Sequence, residues 1–271
     1  MASWLYRVRA MQHRFLGLAV LLAGLLLAAP AARAQGVPVV AAAADLQFAL
    51  AEVAEAFAQQ TKREVKLVFG SSGNLSRQIQ QGAPFQMFFS ADEQFVFDLA
   101  AKELTPDDGT LYAIGRIVVL APHGSPLVAD GELAGFKEAL AAGVVKKFAI
   151  ANPEHAPYGR RAEEALRHAG LWDAIKDKLV MGENVSQAEQ FATSGSAQGG
   201  IIAYSLALAP DVAKLGSFAL IPEEWHEPLR QRMTLIKGAG ETAQAFYAFM
   251  QGPTARRIMR RYGFLLPGET S

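Results

Sequence analysis

Two stretches decide the reading of the fold: Ala41-Ala42-Ala43-Ala44-Asp45-Leu46-Gln47-Phe48 and Phe69-Gly70-Ser71-Ser72-Gly73-Asn74-Leu75-Ser76-Arg77-Gln78-Ile79. Each reads as a strand that breaks on small, turn-forming residues and then enters an amphipathic helix. A helix N-terminus leaves its first N–H groups unpaired and carries a partial positive charge. Two of them facing one space can hold an anion. Working outward, the same alternation recurs. Val37–Ala44 is a continuous apolar run, the pattern of a buried parallel strand. Residues 45–60 place Leu46, Ala49, Leu50, Val53, Ala54 and Phe57 on one helical face, with Asp45 expected as N-cap. Strands are predicted over 64–69, 86–90, 116–121, 147–151, 199–204 and 233–236. Helices are predicted over 74–81, 92–102, 158–169, 186–193, 242–250 and 255–262, with a loop over 182–185.

The fold class expected is α/β: two α/β domains with central mixed sheets joined by two hinge strands, near 116–121 and 231–237. Residues 35–118 and 235–271 would form the first domain and 119–234 the second. Such sheets bind ligands in the cleft at the carboxyl ends of their strands and close by hinge motion.

The N-terminus has the layout of a secretory signal peptide: Arg7, Arg9 and Arg14, an apolar run from Phe15 to Ala29, then Ala32-Arg33-Ala34. Cleavage is expected after Ala34. Taking the four arginines of residues 1–34 from the 26 basic residues leaves 22 against 26 acids, a net charge of −4. This disfavours nucleic acid and anionic membranes as partners. It also means that local dipoles and donors, rather than net charge, must hold any bound anion. With no cysteine in the chain, disulfides, thiolate metal sites, a Cys nucleophile and a lipidated N-terminal Cys are excluded. An exported, unanchored protein of this kind points to the periplasm.

The turn at 69–74 is the strongest local signal. Gly70 and Gly73 allow close backbone approach, and Ser71 and Ser72 add hydroxyl donors; a glycine-rich serine cap explains the same residues. Asp45 needs its carboxylate turned away from any anion, leaving its own N–H for the ligand. Tyr158, in Pro157-Tyr158-Gly159, offers a phenol or a rim aromatic. Val185 opens a helix with an unpaired N–H, beside a simple cap by Asn184. Arg160 and Arg161 fit a solvated helix face better than a ligand clamp. His123, His155, His168 and His226 have no metal-ligand spacing. There is no Gly-x-Ser-x-Gly nucleophile turn and no phosphate-loop motif.

These residues resemble the periplasmic molybdate-binding proteins of ABC transporters, the ModA family, within the type II periplasmic binding protein fold. The resemblance runs from about Val37 to Leu266. It rests on Ala41–Leu46, Phe69–Ile79, Gln81–Pro84 with Phe89–Asp92, Asn152–Gly159, Glu183–Val185, Gly200–Tyr204, Gly252-Pro253 and Arg261–Phe264. It implies a tetrahedral dianion, molybdate and with it tungstate, held by hydrogen bonds without a resident cofactor or cation. It carries over ligand contacts to the Ala44–Asp45 backbone, to the Ser72 hydroxyl and N–H, to Tyr158, and to the Val185 N–H. Two departures stand out. Asp45 occupies a position where many members have Ser. The Tyr that many members use on a later strand falls on Ala203, with Tyr204 one residue on and, by strand alternation, facing away. Tyr158 is then expected to replace that phenol. The resemblance implies delivery to an inner-membrane ABC permease; no base lies beside a nucleophile in the matched blocks, so no enzymatic activity is expected, and a monomer is expected because the binding mode asks for free hinge motion. A binder of sulfate or thiosulfate is the alternative.

Overall fold

The computed structural model describes residues 36–268; the expected cleavage after Ala34 lies outside them. Ten strands form two five-stranded sheets. In chain order they are β1 (Val39–Ala43), β2 (Lys66–Gly70), β3 (Phe85–Ser90), β4 (Thr110–Gly115), β5 (Ile117–Pro122), β6 (Phe148–Ala151), β7 (Leu179–Gly182), β8 (Gly200–Ala203), β9 (Gly216–Leu220) and β10 (Leu229–Leu235). The α-helices are α1 (Gln47–Thr61), α2 (Ser72–Gln80), α3 (Gln94–Ala101), α4 (Ala134–Ala141), α5 (Pro157–His168), α6 (Trp172–Ile175), α7 (Val185–Thr193), α8 (Tyr204–Ala207), α9 (Pro210–Ala213), α10 (Glu241–Met250) and α11 (Pro253–Arg261).

The first sheet has the order β2-β1-β3-β10-β4 and the second β7-β6-β8-β5-β9. Within each, four strands run one way and a single strand runs against them: β10 opposes β3 and β4, and β5 opposes β8 and β9. The mixed two-lobe architecture matches the expectation from the sequence. The crossings differ in detail. The outward one is a single residue, Arg116, between β4 and β5. The return is not a strand but residues 221–228, which include a 3₁₀ turn at Glu223–Trp225. Residues 229–234 therefore pair in the first sheet, and β5 from Ile117 pairs in the second. Three strands, β4, β7 and β9, were not predicted. All lie at sheet edges, and β7, only four residues long, takes Gly182 out of the expected loop.

Each lobe has its own apolar core. In the first, Phe57 and Phe89 meet Phe246 edge-on with ring centroids 5.1 and 6.3 Å apart, a geometry worth about 0.5–1.5 kcal/mol per pair beyond area burial. Leu75, Ile79, Phe88, Val96 and Leu99 fill the other face of that sheet. In the second, Phe136 stacks on Phe148 at 4.3 Å. Strand β1 is buried along nearly its whole length and ends in three alanines, and Ala43 and Ala44 belong to the second lobe's cluster. Their small side chains let the carboxyl end of β1 lie against the other lobe.

Candidate anion site between the lobes

The carboxyl ends of β1, β2, β6 and β7 each lead into a helix within a few residues. β1 passes into a 3₁₀ turn at Ala44–Leu46 and then α1; β2 leads to α2, β6 to α5 and β7 to α7. Two of these helix starts come from each lobe, and they surround one cavity between the lobes. Ala44, Asp45, Ser72, Tyr158 and Val185, the five residues singled out from the sequence, all line it. No Lys or Arg does. Helix starts leave N–H groups unpaired and carry partial positive charge, which suits an anion, while Asp45 brings a carboxyl to the same lining.

Ser72 is fully buried as the first residue of α2. Its hydroxyl oxygen accepts from the Ala91 N–H at 3.0 Å, so the hydroxyl proton stays available to donate into the cavity. Ser71 is the N-cap but makes no side-chain cap; its hydroxyl meets His155 Nδ1 across the cleft at 3.0 Å. The Gly73 N–H donates to the His155 carbonyl at 3.0 Å, and a Cβ on Gly73 would sit 2.7 Å from that oxygen. Glycine is needed there for the lobes to meet. Val185 opens α7, and Asn184 Oδ1 caps the Gln187 N–H at 3.1 Å. The cap serves the third residue of the helix, Gln187, and leaves the N–H of the first, Val185, outside the capping bond.

Asp45 does not act as an N-cap. It sits within the 3₁₀ turn, 1% exposed, and makes no cap bond. Its Oδ2 instead accepts from the Tyr158 hydroxyl at 3.1 Å and from Gln231 Nε2 at 2.7 Å. Gln231 Nε2 also donates to the Tyr158 oxygen at 3.0 Å, and the Tyr112 hydroxyl donates to Gln231 Oε1 at 2.7 Å. Tyr112 thereby fixes which way the Gln231 amide faces. The Ser205 hydroxyl holds the Asp45 backbone carbonyl at 2.8 Å. Asp45 Oδ1 is buried and has no hydrogen-bond partner. Burial pushes the Asp45 carboxyl up to about 6, against the opposing pull of the Gln231 and Tyr158 bonds and of its own backbone N–H. Burial and the Asp45 charge hold the Tyr112 and Tyr158 phenols well above their usual range, so both are neutral donors at any physiological pH.

Sequence reasoning missed Gln231, Tyr112 and Gly115, which hold this network together. A Cβ on Gly115 would fall 2.3 Å from the Tyr158 hydroxyl and 2.6 Å from Gln231 Nε2. Nothing local marks these residues: they lie on β4 and β10 and meet Asp45 only in the folded sheet. Tyr204 is not among the cavity-lining residues, but strand alternation is not the reason: β8 ends at Ala203 and Tyr204 is the first residue of α8. Its ring packs against Phe218 at 6.0 Å and against Gly263. Arg160 and Arg161 lie outside the cavity lining and reach across the cleft to Asp92, at 3.5 and 4.0 Å. Among the described residues, no group of three or more His, Cys, Asp or Glu side chains is placed to hold a metal ion.

Residues 38–265 match the family model described as bacterial extracellular solute-binding protein. The molybdate-binding protein ModA of Rhodobacter capsulatus is 34% identical over 243 residues, covering 88% of this chain and 91% of that protein. The chain belongs to this family, and within it to the ModA proteins. ModA of Escherichia coli K12 is 33% identical over 238 residues, 86% of this chain and 90% of its own length. The solved periplasmic molybdate-binding protein of Azotobacter vinelandii superposes with a TM-score of 0.77 at 32% identity, covering 85% of this chain and 99% of that one. The family expected from the quoted motifs is therefore the family found, with its type II periplasmic binding protein fold.

Proposed function

We propose that this ModA-family chain captures molybdate, and with it tungstate, in the periplasm and delivers it to an inner-membrane ABC permease. The observation that carries the reading is the cation-free cavity where four helix starts, two from each lobe, converge beside the Ser72 hydroxyl. A bidentate arginine, which a carboxylate ligand calls for, is not part of this lining. The relatives' names give the identity of the anion. Contacts to the ligand come from the backbone at Ala44–Asp45, the Ser72 hydroxyl and N–H, and the Val185 N–H, with Tyr158 in the lining giving its one hydroxyl proton to Asp45 Oδ2. Bonds from both lobes favour the closed state when the anion is present. Size and bond length select against sulfate and thiosulfate. The protein acts as a monomer, holds no cofactor and leaves its ligand chemically unchanged.

A thermal-shift panel tests this. A ligand that binds only the folded state adds about 4 kcal/mol at a thousandfold excess over Kd. Molybdate and tungstate should raise the melting temperature by several degrees, with sulfate and thiosulfate far behind. A shift by sulfate equal to that by molybdate would replace the proposed ligand.

A further inference from the structure

Asp45 is the group whose presence the anion-site reading leaves unexplained. A buried carboxylate in the wall of a cavity for a dianion is repulsive, and nothing positive lines the cavity to offset it. Asp45 is one of the residues that line the cavity, with Oδ2 committed to two donors and Oδ1 buried without a partner. One change satisfies every atom at once: a proton on Oδ1. Oδ2 then keeps Tyr158 and Gln231, and Oδ1–H becomes a donor toward an oxyanion oxygen.

We infer that Asp45 takes up one proton from bulk water as the oxyanion enters, so that capture is proton-coupled and Oδ1–H is one of the donors to the ligand. This rests on the proposed oxyanion function and adds a donor to it. The groups facing Asp45 fit the role. Tyr158 from α5 and Gln231 from β10 occupy Oδ2, Tyr112 from β4 acts through Gln231, and Ser205 from α8 holds the backbone carbonyl. None brings a positive charge. His155 is engaged elsewhere, with Ser71 at 3.0 Å and Glu183 at 3.5 Å. Burial alone has already moved the Asp45 carboxyl up to about 6 in the empty site, and a dianion at the cavity moves it further in the same direction. The empty site is therefore mainly ionised at pH 7.5, and the loaded one protonated.

Isothermal titration of the wild-type protein with sodium molybdate at pH 7.5, in two buffers of different ionisation enthalpy, reads the proton count. We expect uptake of about one proton, and a Kd that rises roughly tenfold between pH 7 and pH 8. Asp45→Asn places an amide N–H where Oδ1–H would stand and keeps a carbonyl oxygen for Tyr158 and Gln231. It should bind molybdate with no proton uptake, with a Kd flat across that range and tighter than wild type at pH 8. His155→Gln should keep the uptake. Binding by the wild type without proton uptake, or uptake lost in His155→Gln and kept in Asp45→Asn, overturns the inference and leaves the oxyanion function standing. No molybdate binding by the wild type at any pH overturns the function itself and the inference with it. The wild-type titration decides the matter even if a variant fails to fold.

Discussion

Gly115→Ala should damage this protein out of proportion to one methyl group. Gly115 ends β4, beside the link to the second lobe. The added Cβ would lie 2.3 Å from the Tyr158 hydroxyl oxygen, 3.2 Å from its ring carbon Cζ and 2.6 Å from Gln231 Nε2. Ordinary contact begins near 3.4 Å, so the phenol must move by roughly 1 Å. A bond of 3.1 Å to Asp45 does not survive that shift. Tyr158 is 3% exposed on α5, and the open space beside it is the cavity itself, so a displaced phenol would intrude on the ligand site. Overpacking costs about 1–3 kcal/mol, and loss of a hydrogen bond to a buried charged group about 1.5–3 kcal/mol. Together these give about 3–5 kcal/mol. For a chain of this size that is a fall in Tm of about 6–20 °C. Thermal melts of wild type, Gly115→Ala, Tyr158→Phe and the double variant at pH 7 measure it. Without the hydroxyl, the methyl meets less resistance, so Gly115→Ala should cost less in the Tyr158→Phe background, with a coupling of about 1 kcal/mol or more. Strict additivity, or a Gly115→Ala cost under about 0.5 kcal/mol, would refute the packed Gly115–Tyr158–Asp45 arrangement.

Other expectations follow from the same geometry. Tyr158→Phe should weaken molybdate binding more than Tyr204→Phe in calorimetry, because Tyr204 packs on Phe218 away from the cavity; equal effects would reverse the assignment. Ser72→Ala removes the hydroxyl and strands the Ala91 N–H, so it should cost about 1–3 kcal/mol in stability and weaken binding as well. For the empty protein, Asp45 has a folded pKa near 6 against 3.8 for the free group. The folded state therefore binds more protons between these values, and stability falls as pH rises from about 4 through 6. Asp45→Asn removes that dependence. It should be more stable than wild type by up to about 3 kcal/mol at pH 7.5, with the gap closing below pH 4 in denaturant titrations.

Much of the fold was legible because the chain alternates cleanly between buried strands and amphipathic helices. The runs ending at Ala43 and Ala151 are apolar on both faces, so burial and strand type coincide. Edge strands β4, β7 and β9 were not legible: each has a strand neighbour on one side only, and its strand character comes from the neighbour it pairs with. That five candidate residues line one cavity was legible in part because helix starts carry local signatures, serine with glycine at 70–73 and Asn184 before Val185. The orientation of Asp45 was not. Capping preference predicted that it would turn back on its own helix, whereas Gln231, 186 residues away, takes Oδ2 instead. A partner at that distance leaves no trace in local pattern. The same holds for Gly115, whose need for a missing side chain is set by a tyrosine on another lobe.

Isothermal titration of refolded, ligand-stripped residues 35–271 with molybdate, tungstate and sulfate at pH 7 tests whether a cation-free cavity of helix starts holds a molybdate dianion. Molybdate and tungstate should bind one to one, and sulfate should give no measurable heat. Sulfate binding as tight as molybdate, or no binding of any of the three, would contradict that assignment.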